Sequence, residues 1–540
     1  MRVAIRLRAV MCALTVLWLA GTAQAQFKAS IQGTVKDPTG AVVSGAMVTV
    51  TNRETNRSQQ VTSSDNGFYR VTGLPPGTYT VSAELTGFRR KVLQDIVIHA
   101  EETQGVDIVL EPGEIAEAVT VEATPSTTQL DTEHANIDRA ITTEEIRRIP
   151  QVGRDPYELI RLTPGVFGSG ARGADGGSVG LPNTTGPGGS NTSIFQVENQ
   201  VPISANGQRV SANNFQIDGV SVNSLVHGGA AVVTPNQESV KEMRVLSNFY
   251  SAEYGRNTGA QIQVVSQNGT NEFHGSALFK YNDPGLNAFN KFGDVFGLPP
   301  QRVNRRFRQF GGSLGGPIVR DNLFFFFSYE GLREKTTDVA SRFVETPQFR
   351  QTVINQRPNS IIANVFSTPG IEPRIISTLA ADCQPFIAQG RPCREVAGGL
   401  DIGSLTGRTG EYVSLGNPGG GGLDNVPDIQ LAAIALPNRI RGDQYNARVD
   451  FNRGTTDQFA VSTYITKLIT NNSDLGGQSR PIGDLRFDPL NSAATFTWIR
   501  TISATLLNEA RVNFTRFALD QVEGSSDTNF GIPRIEVEGL

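Results

Sequence analysis

Cysteine is scarce in this chain: three among 540 residues. Cys12 lies inside an N-terminal apolar stretch and not where a lipid-attachment cysteine would sit, which argues against a lipoprotein anchor. Charge of one sign is also lacking. The chain carries 48 Lys+Arg against 52 Asp+Glu, a formal net charge of −4, and a general nucleic-acid binder would show a basic excess. Beyond the extreme N-terminus no apolar run approaches the roughly 20 residues a membrane helix needs. A helical membrane protein is excluded; a membrane β-barrel is not, because its strands carry only an alternating signal. Histidines number four: His99, His134, His227 and His274. His99-Ala100-Glu101-Glu102 fits an H-x-x-E pattern, with His227 a zinc-carboxypeptidase-like distance downstream. A catalytic zinc needs three converging ligands and an open position; these residues fall in different modules, so no enzyme and no cofactor is expected.

What the chain does have is glycine, 57 residues, and proline, 28, against usage of roughly 7% and 5%. With 38% hydrophobic residues, this points to a turn-rich, mainly β protein. Arg2, Arg6 and Arg8 precede the apolar residues 9–20, and Ala23-Gln24-Ala25 supplies a small-x-small cleavage pattern. Residues 1–25 therefore read as a signal peptide. Export to an oxidising compartment makes a Cys383–Cys393 disulfide plausible; two unpaired loop cysteines are the alternative.

Residues 26–112 hold short alternating stretches separated by turns at Asp37-Pro38-Thr39-Gly40, Asp65-Asn66-Gly67 and Leu74-Pro75-Pro76-Gly77, the spacing of an Ig-like β-sandwich. The segments G-T-V-K-D-P-T-G-A, S-D-N-G-F-Y-R-V-T-G-L-P-P-G-T-Y and L-T-G-F resemble the carboxypeptidase-regulatory-like domain, a spacer or docking unit in many exported proteins.

Residues 113–129 contain a short extended segment, Ala118-Val119-Thr120-Val121-Glu122-Ala123, and a polar Thr/Pro/Ser stretch. This is either a last strand and a linker, or a strand offered to a partner's sheet edge. Over 130–274, Thr142-x-x-Glu145 forms a capping box for a helix stopped by Pro150, and Asp155 caps a second short helix. Residues 168–190 hold nine glycines with no phosphate-loop lysine, signalling mobility. Asp218-Gly219 follows alternating Phe215 and Ile217 as a hairpin cue, and Pro235 opens a short helix expected to run into Met243-Arg244-Val245.

Asn213-Asn214-Phe215, Asp218-Gly219-Val220, Val240-Lys241-Glu242, Ser251-Ala252-Glu253-Tyr254-Gly255-Arg256 and Gly269-Thr270-Asn271-Glu272-Phe273-His274-Gly275 resemble the plug of TonB-dependent outer-membrane receptors, in the Oar-like subgroup that carries a regulatory-like domain in front of the plug. One departure is Ser266-Gln267, where the family commonly shows Thr-Lys. The resemblance implies an α+β plug over 130–274 and makes Ala118 to Ala123 the TonB-box candidate. Glu253 and Arg256 could pair with barrel-wall charges or form an ordinary solvated pair, and Asp218 reads as a turn-former.

Residues 275–540 carry about seven candidate strands. Tyr445 to Asn452 alternates apolar and polar without error, Arg511 to Thr515 does the same, and Ala277, Phe279, Tyr281, Ala494, Phe496 and Trp498 form further faces, the pattern of a wall between lipid and a wet lumen. Leu323 to Phe327 fits either a two-sided buried strand or an aromatic girdle. A long polar insertion around 333–441 holds both cysteines. Receptors of this family use 22 strands, too many for these residues, so the N-terminal part of a transmembrane antiparallel barrel is expected, incomplete at Leu540.

The resemblance implies a receptor in the outer membrane of a Gram-negative-type bacterium. It would bind an extracellular oligosaccharide, siderophore, peptide or protein, with outer-membrane lipid around it, no nucleic acid, and a TonB-type energy-transducing complex of the inner membrane as partner. A surface adhesin or carbohydrate-binding protein built from sandwich modules is the alternative; it requires residues 275–540 to fold as soluble domains.

Overall fold

The computed structural model describes residues 29–113, 118–122, 136–168, 194–250, 255–289, 302–403, 423–471, 480–518 and 521–523, apart from positions 152, 196–197, 256, 303, 424 and 504–505. The signal-peptide region, most of the glycine-rich segment, Ala123, Glu253, Tyr254 and Arg256 lie outside the described residues.

The first unit is a two-sheet sandwich. One sheet contains β1 (Ala29–Lys36), β4 (Phe68–Leu74), β7 (Thr103–Gly105) and β8 (Ile108–Val109), with β1 between β4 and the two short strands. The other contains β2 (Met47–Asn52), β3 (Ser58–Thr62), β5 (Gly77–Glu84), β6 (Arg90–Ile98) and β9 (Ala118–Glu122), in the order β3-β2-β5-β6-β9. Period-two alternation sends Ile31, Val35, Val48, Val50, Val71, Tyr79 and Val81 into one core between the sheets. Two buried tyrosines keep their hydroxyls satisfied: Tyr69 donates to the Val106 carbonyl at 2.6 Å and Tyr79 to the Pro75 carbonyl at 2.7 Å, as buried phenols usually must.

The plug is built on β10 (Ile137–Thr142), β11 (Val166–Gly168), β12 (Ile203–Ala205), β13 (Asn214–Ile217), β14 (Val220–Ser221), β15 (Val240–Asn248) and β16 (Gln261–Ser266). Its main sheet runs β10-β15-β16-β13-β14. Helix α1 (Thr143–Arg148) starts at Thr142, whose hydroxyl accepts from the Glu145 amide. A 3-10 turn, Pro156–Leu162, starts at Asp155, whose carboxylate accepts from the Tyr157 amide at 2.9 Å. The helix expected after Pro235 is a single 3-10 turn, Gln237–Ser239, and Met243 to Val245 belong to β15. Two neighbouring strands, β10 and β16, supply the backbone partners there, and tertiary pairing overrides a weak helix preference.

The described strands from His274 onward form one antiparallel sheet. Its long strands are β17 (His274–Asn282), β18 (Arg305–Val319), β19 (Leu323–Glu345), β23 (Ile429–Arg453), β24 (Asp457–Asn471), β26 (Leu490–Ser503) and β27 (Leu506–Ala518), each paired to the next. Short strands complete it: β20 (Ile375–Thr378), β21 (Arg394–Val396), β22 (Gly399–Asp401), β25 (Leu485–Phe487) and β28 (Gln521–Glu523). Among the described residues the sheet does not close. It also does not divide into two-sheet modules, as a string of soluble sandwiches would.

The insertion is shorter than its composition suggests. Residues 333–345 and 429–441 continue β19 and β23 in unbroken register; only 346–428 lies between them, with helices α2 (Pro347–Gln356) and α3 (Ile361–Phe366). Cys383 and Cys393 are disulfide-bonded, with a Cα–Cα distance of 5.5 Å. The phenylalanine run serves both faces: Phe324 and Phe326 are buried, while Phe325 and Phe327 turn outward.

The plug seats against one face of this wall. Tyr464 and Ala493 enter the plug's own core, and plug Phe195 packs with Phe307, Leu332 and Leu468. A Cβ on wall residue Gly442 would stand 2.4 Å from the Phe195 ring, so glycine is what lets that ring lie on the strand. The opposite face exposes Phe279, Tyr281, Phe327, Tyr445, Val449, Phe451, Val461, Phe496, Val512 and Phe514. One polar, plug-covered face and one apolar, uncovered face are what lipid outside and a plug inside demand.

Candidate functional site

Three contacts define the site: plug against wall, sandwich against plug, and the candidate box strand against the sandwich.

The first is built on a hairpin. Asp218 and Gly219 both adopt positive φ, 50° and 77°, and join β13 to β14 with Ile217 facing Val220, the two-residue turn that suits strand twist. This turn points the Asp218 carboxylate into the wall. It accepts from the Ser266 amide at 2.9 Å, the Ser266 hydroxyl at 2.6 Å and the Ser462 hydroxyl at 2.8 Å, and pairs with Arg448 at 3.3 Å. Burial alone would raise the Asp218 pKa, but the Arg448 guanidinium and the serine donors outweigh it and hold the pKa below the ordinary 3.8. Arg448 is anchored from its own strand by Asp450 at 2.8 Å and also donates to the Ser266 hydroxyl at 2.7 Å. Ser266, where the family commonly has Thr, is thus part of the seat. The neighbouring motif residues build the plug itself: Asn214 donates to Gln261 at 2.7 Å, and Phe215 packs on Tyr157 with ring centroids 4.7 Å apart.

A second buried cluster lies along β17 to β19. Glu238 accepts from Arg147 at 2.7 Å, Arg154 at 3.0 Å and the wall hydroxyl of Ser276 at 2.6 Å. Arg154 stands 3.4 Å from Glu330 on β19, which also accepts from Gln309. Burial pushes Glu238 up; Ser276 and the two arginines pull it further down, leaving it below the ordinary 4.5. Sequence reasoning missed Glu238, Arg147, Arg154, Arg448 and Ser462. For Arg448 the signal was present, since a cation on the plug-facing side of a wall strand needs a partner. Glu253 and Arg256, the pair that could meet barrel-wall charges, lie outside the described residues; Gly255 between them is exposed.

The sandwich docks on the plug through Glu242, which accepts from His99 Nδ1 at 3.0 Å and the Ala100 amide at 3.1 Å. Arg244 donates to the Ala100 carbonyl and pairs with Asp138, Gln263 donates to Glu101 at 2.8 Å, and Lys241 pairs with Glu54 at 2.6 Å. The same domain touches two turns of the wall: Asn56 donates to Asp321 at 3.0 Å and Arg57 to the Thr455 carbonyl at 2.9 Å. A cavity of about 100 Å³ remains where all three units meet, lined among others by Glu54, Arg57, Asp218, Lys241 and Arg448. His99 and His227 do not approach a common centre: His227 pairs with Glu198 inside the plug at 2.9 Å. Among the described residues no three His, Cys, Asp or Glu side chains are placed to hold a metal.

The Glu242 hydrogen bond raises the His99 pKa above 6.5, more than burial lowers it. A raised cation pKa stabilises the docked state fully below 6.5, and that gain is lost as pH rises through the folded value. Protection of the Ala100 amide, which donates to Glu242, should therefore fall severalfold between pH 6 and pH 8.5 once exchange is corrected for its intrinsic base-catalysed rate, and His99→Gln should abolish that fall. A pH-independent protection factor in the unmodified protein would contradict this role for His99.

The third contact concerns the TonB-box candidate. β9 lies parallel to β6, with Arg90 opposite Ala118 and Gln94 opposite Glu122, and it is the end strand of its sheet. It is thus already paired along one edge.

A docked β-sandwich, a plug and a wall with one apolar face together define a plugged outer-membrane barrel. Residues 265–538 match the family described as "Outer membrane beta barrel domain", and the chain belongs to that family. Residues 30–111 match the carboxypeptidase regulatory-like domain. The chain is 29% identical to the TonB-dependent transporter Oar of Myxococcus xanthus over 318 residues, 58% of this chain and 27% of that relative's length. Among solved structures it is similar to the outer membrane transporter YddB of Escherichia coli (TM-score 0.38, 10% identity, 68% of this chain and 37% of that one). It is also similar to a mutant ferric enterobactin receptor, PfeA, of Pseudomonas aeruginosa (TM-score 0.32, 13% identity, 72% and 42%). At those scores the structural likeness carries no argument of its own.

Proposed function

We propose that the protein is a TonB-dependent receptor that imports an extracellular substrate using inner-membrane energy. The work is mechanical, not catalytic. The observation that carries this reading is the plug's attachment: polar and ionic contacts made by Asp218 and Glu238 to one wall face, which a pull can break one at a time, beside a short strand, β9, that is separate from the plug's own sheet. Strand addition gives affinity through backbone bonds with little side-chain demand, so a periplasmic partner can take β9 along its open edge or replace β6. Pulling β9 then strains the sandwich and the plug in turn. Substrate would bind the plug and the long loops on the outer face, and residues 1–25 would direct export as a cleaved signal peptide.

The test is disulfide trapping. Thr120→Cys in the otherwise intact receptor should form an adduct with a cysteine-bearing periplasmic domain of the energy-transducing partner, and Val119→Pro with Val121→Pro should abolish it by removing backbone donors. Deleting 118–123 should stop substrate-dependent growth while leaving the protein in the outer membrane. Absence of any adduct, together with unchanged growth on deletion, would sink the proposal.

A further inference from the structure

The wall's outward face can be read row by row from the strand register. Nearest the turns that touch the sandwich lies Leu323-Phe451-Phe459-Trp498, and above it Phe325-Val449-Val461-Phe496. Four residues further along β19 come Tyr329-Tyr445-Ile465, then Phe279-Phe310-Gly331-Asp443. The next two rows change character: Tyr281-Arg308-Arg333-Arg441, and then Arg306-Lys335-Arg439. Leu323 to Arg333 is ten steps; at about 3.3 Å per residue and a tilt near 40°, it rises about 25 Å, the height of the apolar band of an outer-membrane barrel. The cations begin where that band ends, directly above a girdle of Phe279, Phe310, Tyr329 and Tyr445.

These six cations face away from the lumen. Their strand neighbours Phe307 and Leu332 point the other way, into contact with plug Phe195, so a substrate inside the barrel cannot reach them. They line a hollow of about 370 Å³. Two carboxylates pair with them: Asp443, held by Arg333 at 2.6 Å and Arg441 at 3.0 Å, and Asp283, 3.5 Å from Arg306; Glu334 also lines the hollow but is held by Arg305 at 2.7 Å. Arg308, Lys335 and Arg439 have no carboxylate partner among the described residues. Like charges placed directly across strands destabilise a sheet, so this arrangement gains from a ligand with concentrated negative charge. Arginine forks match phosphate geometry, and the rings below suit the boundary between headgroup and acyl chain.

We propose that the outward rim of β18, β19 and β23 binds the phosphorylated headgroup of an outer-leaflet glycolipid, with Arg308 (stacked over the Tyr281 ring), Lys335 and Arg439 as the cations that no carboxylate holds and Arg333 and Arg441 as a fixed floor. The ligand's phosphate sits between the two cationic rows, and its acyl chains descend over the girdle. The site orients the receptor in the membrane and fixes its depth.

The test uses the intact receptor in detergent, titrated with bis-phosphorylated lipid A and followed by native mass spectrometry. At roughly 1 kcal/mol per cation, Arg308→Gln/Lys335→Gln/Arg439→Gln should weaken binding about a hundredfold. The unmodified receptor should discriminate strongly against the dephosphorylated lipid. Heat-modifiable migration on gels checks that the variant folds; should it not fold, Arg439→Gln alone should cost about fivefold. Equal binding by receptor and folded variant, or equal binding of the dephosphorylated lipid, overturns the proposal. Displacement of the lipid by millimolar inorganic phosphate would assign the site to a soluble anion and overturn the lipid assignment.

Discussion

Asp218→Ala should loosen the plug from the wall by about 3–5 kcal/mol, the usual consequence of removing one partner of a buried ion pair. The size follows from what the carboxylate holds. It is 13% exposed, its partner Arg448 is 12% exposed, and it accepts from one amide and two hydroxyls besides the guanidinium. Removing it leaves Arg448 with Asp450 on its own strand and only the hydroxyl and carbonyl of Ser266 on the plug, and strips Ser266 and Ser462 of their carboxylate acceptor. Hydrogen exchange should accelerate by two to three orders of magnitude at 214–218 and 262–266, with the sandwich core unaffected. Asp218→Asn keeps the shape and should lose less. Combined with Arg448→Met it should show a coupling of about 1–3 kcal/mol. Unchanged exchange in Asp218→Ala would remove this contact from any role in retention.

Glu238→Ala should have a comparable effect, about 3–5 kcal/mol, where the plug meets β17 and β19. Arg154 is 11% exposed and would keep only Glu330, while Arg147 and Ser276 would lose their acceptor. Exchange should rise most at 237–240 and 275–277; because Val240 is paired with Ser266, the two sites are neighbours and the double variant should depart from additivity. Both carboxylates have depressed pKa values. A depressed pKa contributes stability above the unfolded value that is lost as pH falls through the folded one. The unmodified plug should therefore stay seated through pH 5 and loosen only below the ordinary carboxylate range. Release already at pH 5 to 6 would show that other groups control it.

Local features were legible in the residues alone. The Thr142-x-x-Glu145 box, the Asp155 cap and the Asp218-Gly219 turn each depend on neighbours within three positions, so sequence specifies them. Alternation along Tyr445 to Asn452 settled which side chains share a face, because strand period is fixed by backbone geometry. The motifs of residues 213–275 point to a plug by resemblance alone. The lack of a long apolar run beyond the extreme N-terminus was legible for the same kind of reason, and no described helix is long and apolar enough to cross a membrane.

Only the tertiary structure decided which polar residues meet. Arg448 and Asp218 are 230 positions apart, and Glu238 and Ser276 come from different units. No periodicity carries such a pairing, because it depends on where a folded plug stops against a folded wall. The same holds for His99 beside Glu242, for β9 lying against β6, and for the six cations gathered at the rim. Each residue reads locally as an ordinary solvated charge or a last strand. The pairing of β15 overruled the helix expected at Met243 for that reason too: two neighbouring strands offered backbone bonds that no window of sequence contains. Sequence set the elements and their faces through local geometry; long-range packing chose the partners.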